Sequence, residues 1–259
     1  MTQTWNPELY LRYAAYRARP ADDLLPRLTI KTPGAIYDLG CGPGTVTKRL
    51  KDAWPDRSVT GVDSSDDMLA EARRKFPDAG IRWEKGDIAT WSAPSPAAMV
   101  FANAAFHWVP NHPVLIPRLF AQVAAGGTFA FQIPRSGIEP AHDCIRTLKT
   151  MPRWAAKLSQ VEPHDDPLPI GDYYDLLAPH AADIDLWTTH YVHVLEGDAP
   201  VAEWMSSTGL VPYLSVLDKT DHAALIADYA ALTKKAYPPR ADGKVLFVMP
   251  RVFVVALKK

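Results

Sequence analysis

With 259 residues, 47% of them hydrophobic, the chain can bury a full core without disulfide or metal staples. Its 28 basic and 29 acidic side chains balance, which argues against a nucleic-acid partner gathered by long-range charge. Two cysteines, Cys41 and Cys144, cannot build a disulfide framework and fit a reducing cytoplasm; the first residues carry no apolar signal core, and no apolar run approaches membrane-spanning length.

The first pattern is Tyr10–Arg17, which predicts a helix with Tyr10, Tyr13 and Arg17 on one face. Ala35–Leu39 reads as a buried strand running into the turn Gly40-Cys41-Gly42-Pro43-Gly44, and Thr45–Ala53 as the helix that the turn opens. Ser58–Val62 is a second strand ending at Asp63. Asp66–Lys75 is a second helix, with Ser64, Ser65 and Asp66 all competent N-caps. Ile81–Glu84 is a third strand, followed by Gly86-Asp87-Ile88; Ala98–Ala102 and Thr128–Ile133 are strands either side of a helix at Pro113–Val123. Strands alternating with helices imply a parallel, doubly wound sheet with right-handed crossovers.

After Pro134 the rhythm breaks. Ile138–Leu148 and Trp154–Val161 read as helices, Ile184–Val194 as strand, and Val201–Leu217 and Asp221–Lys235 as helices. Val245–Leu257 returns to strand and closes the sheet antiparallel, with a bend or bulge expected at Pro250-Arg251. The expected whole is one α/β domain over 1–259 with a mostly parallel seven-stranded sheet. Residues 30–134 form its cofactor core, and 1–20, 135–180 and 197–240 a helical lid and substrate pocket. There are no repeats, and no His-x-x-x-His or Cys-x-x-Cys spacing suggests a metal. His164-Asp165-Asp166 reads as a solvated loop.

The glycine turn and the acid about twenty residues beyond it place a nucleotide-type cofactor at the top of the sheet. A dinucleotide site wants Gly-x-Gly-x-x-Gly and a helix N-terminus aimed at pyrophosphate. Here the spacing is Gly40-x-Gly42-x-Gly44, Pro43 removes an amide donor, and the charge of Asp38 opposes a pyrophosphate. An acid at that point suits a cationic ligand part, the amino group or sulfonium of S-adenosylmethionine. Glycines at 40, 42 and 44 let the backbone approach a ligand. Asp63 is placed to accept both ribose hydroxyls, Asp87 to accept from the adenine amine, and Ile88 to lie against the ring; Met68, one turn into the second helix, packs either on an adenine face or simply in the core. Ser64 and Asn103 complete the cofactor-side candidates. Cys41 reads as a small residue tolerated in a tight turn rather than a catalytic thiol.

These residues resemble the class I S-adenosylmethionine-dependent methyltransferases: Asp38-Leu39-Gly40-Cys41-Gly42-Pro43-Gly44, Gly61-Val62-Asp63, Gly86-Asp87-Ile88, and Phe101 to Trp108 after the fourth strand. The resemblance implies the Rossmann-like methyltransferase fold. Trp5 to Leu11, Arg19-Pro20-Ala21, Ala102-Asn103-Ala104, Asp172 to Asp175, Ala241 to Lys244 and Pro250 to Phe253 narrow it to the branch that methylates a carboxylate of trans-aconitate.

A carboxylate acceptor, with a pKa of roughly 4, is already ionised at neutral pH and needs no general base. No catalytic residue is therefore expected beyond those that align the reactants and exclude water. Arginine matches a carboxylate bidentately, so Arg17, Arg135 and Arg251 are the substrate candidates, with Tyr10, Trp108, Gln132 and Trp204 as pocket walls. The runner-up is a methyltransferase for another small carboxylic acid or hydroxylated metabolite, since lids vary freely on a fold. A non-catalytic S-adenosylmethionine-binding module is the alternative of a different class. A nucleic-acid methyltransferase is disfavoured by the lack of a basic tract or an Asn-Pro-Pro-Tyr-type sequence after the fourth strand.

Overall fold

The computed structural model describes residues 14–135, 137–161 and 167–259. Helix α1 (Ala14–Leu24) precedes the alternation β1 (Ile36–Leu39), α2 (Thr45–Ala53), β2 (Val59–Asp63), α3 (Asp66–Lys75), β3 (Ile81–Lys85), β4 (Ala97–Asn103), α4 (His112–Ala121) and β5 (Val123–Pro134). Then follow α5 (Pro140–Thr150), α6 (Ile170–Leu177), β6 (Ala181–Leu195), α7 (Pro200–Ser206), α8 (Val211–Ser215), α9 (Lys219–Ala236) and β7 (Val245–Lys258). The seven strands form one sheet in the order β3-β2-β1-β4-β5-β7-β6. β1 pairs in parallel with both β2 and β4, β2 with β3, and β4 with β5; β7 runs antiparallel to β5. The chain winds outward from β1 to β3 and returns to β4. This makes the β1/β4 boundary the topological switch point, the place at the carboxyl ends of the strands where open α/β sheets hold their ligands.

The chain divides into two compact units. The sheet unit comprises Arg19–Pro134, Asp165–Thr189 and Arg251–Lys259. Its core is the fully buried faces of β1, β4 and β5, where Leu39, Val100, Phe106, Phe129 and Phe131 pack together with Leu119 of α4, Tyr173 of α6 and Val254 of β7. Central parallel strands are covered on both faces, which is why Ala97–Ala102 is an unbroken apolar run with every side chain buried.

The second unit comprises the described residues of Met1–Ala18, Arg135–His164 and His190–Pro250. It is organised around α5 and α9. Tyr237 Oη accepts the Ala141 N–H at 2.9 Å, Tyr229 Oη donates to the Ala141 carbonyl at 3.0 Å, and Trp154 Nε1 donates to Asp228 at 2.8 Å. Among the described residues no helix is long and apolar enough to cross a membrane.

Three local expectations are corrected. Where a helix is expected over Trp154–Val161, residues 154–160 form consecutive turns; only isolated bonds such as Leu158 N–H to Trp154 O are made. The helix expected over Val201–Leu217 is two short ones, α7 and α8, interrupted around Gly209 and restarted with Pro212 in the first turn of α8. The bulge expected at Pro250 is not found. β7 pairs with β5 without a shift from Leu257 to Arg251, and the Arg135 N–H continues the ladder to Pro250 O at 2.9 Å. Proline forfeits only the reciprocal donor of that one pair. His164-Asp165-Asp166 lies outside the described residues.

Candidate active site at the glycine turn

β1 delivers Asp38 and then the turn. The N–H groups of Gly40 and Cys41 both bond to Val62 O, at 2.8 and 3.0 Å, which ties the turn to β2 as it leaves β1. Gly44 then caps α2 in a left-handed conformation, φ 79°. The Gly42 N–H donates instead to Asp63 Oδ2 at 2.8 Å, while Asp63 Oδ1 accepts the Ser65 N–H at 2.9 Å. Each Asp63 oxygen keeps a further lone pair for a ligand hydroxyl. Of the three cap candidates, Ser65 takes the position: its Oγ accepts the Met68 N–H at 3.3 Å. Ser64 precedes it, and Met68 is half-buried on α3.

The three turn glycines have different surroundings. A Cβ on Gly40 would fall 2.3 Å from Ala105 Cβ, and one on Gly44 2.4 Å from the Trp83 ring. One on Gly42, at φ 53°, would meet nothing within 4 Å. Gly40 and Gly44 are small because protein packs on them. Gly42 alone of the three borders open space.

Asp38 is 1% exposed and accepts a hydrogen bond from Thr47 Oγ1 at 2.6 Å. Loss of solvent pushes its carboxyl up to about 7; the Thr47 bond opposes the rise and the Asp63 charge adds to it. A cation beside it would restore the ionised form. The Cys41 thiol is buried and driven upward by that burial and by the charges of Asp38 and Asp63, which leaves it inert.

After β3, exposed Asp87 turns the chain. Its Oδ1 accepts the Ala89 N–H at 2.8 Å and its carbonyl the Trp91 N–H at 2.7 Å. Ile88 follows, half-buried and close to Gly40. Arg118 of α4 clamps this loop, donating to the carbonyls of Ile88 and Trp91, both at 2.6 Å.

At the ends of β4 and β5, the Gln132 amide donates to Asn103 Oδ1 at 2.7 Å, and Arg251 Nη1 approaches Gln132 Oε1 at 3.5 Å. Trp108 is 51% exposed on the short helical turn Phe106–Trp108. His112 steadies that turn. Its Nε2 bonds to Phe106 O at 2.9 Å and its Nδ1 to Tyr173 Oη at 2.6 Å. A carbonyl only accepts, so Nε2 donates to Phe106 O, and in the neutral ring Nδ1 then accepts from Tyr173 Oη.

Sequence reasoning missed Thr47, Trp83, Arg118 and the His112–Tyr173 pair. Thr47, a hydroxyl in the first turn of the helix behind the motif, had a local signal. The others meet their partners only through the fold.

The remaining substrate candidates belong to the second unit. Trp204 is 2% exposed, stacked on His193 at 4.8 Å and edge-on to Phe247 at 5.8 Å, so it serves the core of that unit. Arg135 is half-buried. Tyr10 and the side chain of Arg17 lie outside the described residues.

The methyltransferase-domain family matches residues 36–127, the span from β1 to the start of β5. The chain is 44% identical to a trans-aconitate 2-methyltransferase from Variovorax paradoxus, over 98% of both chains. It is 42% identical to one from Azoarcus sp., over 98% of this chain and 99% of the relative. Among solved structures, it superposes on a candidate methyltransferase from Bacillus halodurans with a TM-score of 0.61 and 15% identity, covering 93% of this chain and 99% of that one. A phosphoethanolamine N-methyltransferase from Haemonchus contortus, solved with S-adenosyl-L-methionine, gives 0.53 at 16% identity over 93% of this chain and 52% of its own.

Proposed function

The chain belongs to the trans-aconitate 2-methyltransferase family, and from that membership we infer that it transfers a methyl group from S-adenosylmethionine to a carboxylate of trans-aconitate, releasing the monomethyl ester and S-adenosylhomocysteine. The observation that carries this reading is 44% identity over 98% of both chains. The site fits the cofactor: a buried acid whose carboxyl is pushed up to about 7 by loss of solvent, and open space beside Gly42, whose N–H is held by Asp63.

When bound, S-adenosylmethionine supplies an electrophilic methyl group on a sulfonium. Asp38 meets the cationic end of the ligand. The two free lone pairs of Asp63 take the ribose hydroxyls, and Gly42 allows backbone approach. Met68, Asp87 and Ile88 flank the adenine, with Gly40, Gly44 and Ser64 shaping the turn around it. The substrate carboxylate is ionised without help, so the protein orients it and excludes water. Arg251 and Trp108, both in the sheet unit, are assigned to the substrate on this reading.

Incubating the protein with methyl-labelled S-adenosylmethionine and a panel of di- and tricarboxylates tests it. Labelled trans-aconitate ester is expected. Label on a different acid alone would move the substrate to the runner-up class, and cofactor binding with no labelled ester from any acid would leave a binding module.

A further inference from the structure

Gln132 is 1% exposed, yet all of its polar groups have work. Its carbonyl accepts the Ala104 N–H at 2.9 Å, and its side-chain amide spans Asn103 and Arg251. Asn103 and Gln132 are cross-strand partners on β4 and β5, and Arg251 lies diagonally across on β7. The polarity of this row is forced. A guanidinium can only donate, so Gln132 must turn Oε1 toward Arg251. Nε2 then faces Asn103 and occupies Asn103 Oδ1, which leaves the Asn103 NH2 group to donate elsewhere.

A second observation comes from the backbone. Ala104, directly after Asn103, sits at φ 53°, a left-handed conformation that is strained for a non-glycine residue. Its N–H is held there by Gln132. Ala105, next in the chain, is packed against the Gly40 turn. The strained segment thus sets Asn103 beside the cofactor loop, and one residue secures it from both main chain and side chain.

We propose that Gln132 is a positioning residue that fixes the donor polarity of its neighbours, so that Asn103 and Arg251 both present N–H groups to a carboxylate of the substrate. Asn103 then serves the acceptor acid rather than the cofactor. A glutamate at 132 would reverse the arrangement at almost unchanged shape. It would accept from Arg251 more strongly and force Asn103 to turn its own NH2 inward and its oxygen toward the substrate. The assignment of the ligand as trans-aconitate rests on the functional reading above.

The test is calorimetric titration of trans-aconitate into protein loaded with S-adenosylhomocysteine, for wild type, Gln132→Glu and Gln132→Met, beside steady-state kinetics. Gln132→Glu is expected to weaken binding and raise KM about tenfold or more, with kcat changed far less and the affinity for S-adenosylhomocysteine within about twofold. Gln132→Met, which removes the polarity without inverting it, is expected to do less. Equal binding by wild type and Gln132→Glu, or a larger loss in Gln132→Met than in its near-isosteric counterpart, overturns the proposal and leaves the functional reading standing. A wild type that does not bind trans-aconitate overturns both. Should Gln132→Glu fail to fold, Asn103→Asp keeps an acceptor for Gln132 but replaces the outward NH2 with a carboxylate oxygen. The same loss is expected there, and undiminished binding would overturn the proposal.

Discussion

Gly42 donates its backbone N–H to the Asp63 carboxylate at 2.8 Å, across the gap between the turn after β1 and the end of β2. One acid thereby shapes the turn and, on the proposed reading, keeps its remaining lone pairs for the cofactor's ribose. The dual use predicts a large effect from a small change. Asp63→Ala should weaken S-adenosylmethionine binding by at least the about 1.5–3 kcal/mol typical of hydrogen bonds to a charged group. Calorimetry on the folded variant measures this; unchanged affinity would remove Asp63 from the site.

If Asp38 meets the cationic end of the cofactor as proposed, cofactor affinity should depend on pH. The folded value of Asp38 is raised from 3.8 to about 7 by burial, so between those values the folded protein holds a proton that the unfolded chain has released. Its contribution to the stability of the free protein therefore falls as pH rises through that window. Cofactor binding has the opposite sign. A cationic ligand favours the ionised carboxyl, so affinity should climb as pH approaches 7 and level off above it, by up to about tenfold per pH unit on the steep limb. Calorimetry from pH 5.5 to 8.5 reads the slope. Asp38→Asn should bind weakly at every pH, and a steep slope persisting in that variant would assign the titration to another group.

The glycines should separate folding from binding. Gly44→Ala forces a methyl group into the Trp83 ring at a left-handed φ, and should lower stability by about 1–3 kcal/mol. Gly42→Ala has room for its methyl group and pays mainly the left-handed backbone cost of about 1–2 kcal/mol, but on the proposed reading it places that methyl where the cofactor would approach. Denaturant melts paired with cofactor titrations should show the larger affinity loss at Gly42. The reverse ranking would mean that the open space at Gly42 is not the ligand's.

Arg251→Met should raise the KM for trans-aconitate by about tenfold or more while cofactor affinity stays near wild type. Methionine retains much of the apolar stem, so lost packing contributes little. Arg74→Met, which breaks an exposed pair with Glu71, is the control and should leave the kinetics alone. Identical kinetics in both variants would take Arg251 out of the substrate site.

Much of this was local, and so legible in the chain. Strands alternating with amphipathic helices from Ala35 to Ile133 announced a parallel doubly wound sheet, because side-chain period is a property of neighbours in sequence. The glycine turn, Asp38 and Asp63 could be read in the same way. Elements held by contacts from elsewhere were not. Residues 154–161 carry a helical pattern, but the Trp154 indole is tied to Asp228 on α9 and the backbone settles for turns. Pro250 looked like a break, yet pairing to β5 carries the strand straight through it, because only one donor is lost.

The site divides along the same line. Sequence by itself determined that Asp38, Asp63 and Asp87 come at or just after the ends of β1, β2 and β3, since motif order fixes those places. Tertiary structure decided what each one does there. It buried Asp38 against Thr47, set Trp83 rather than a ligand against Gly44, put Trp204 into a core, and aligned Asn103, Gln132 and Arg251 in one row across three strands. Burial and hydrogen-bond polarity depend on residues far apart in the chain, and no local pattern encodes that proximity.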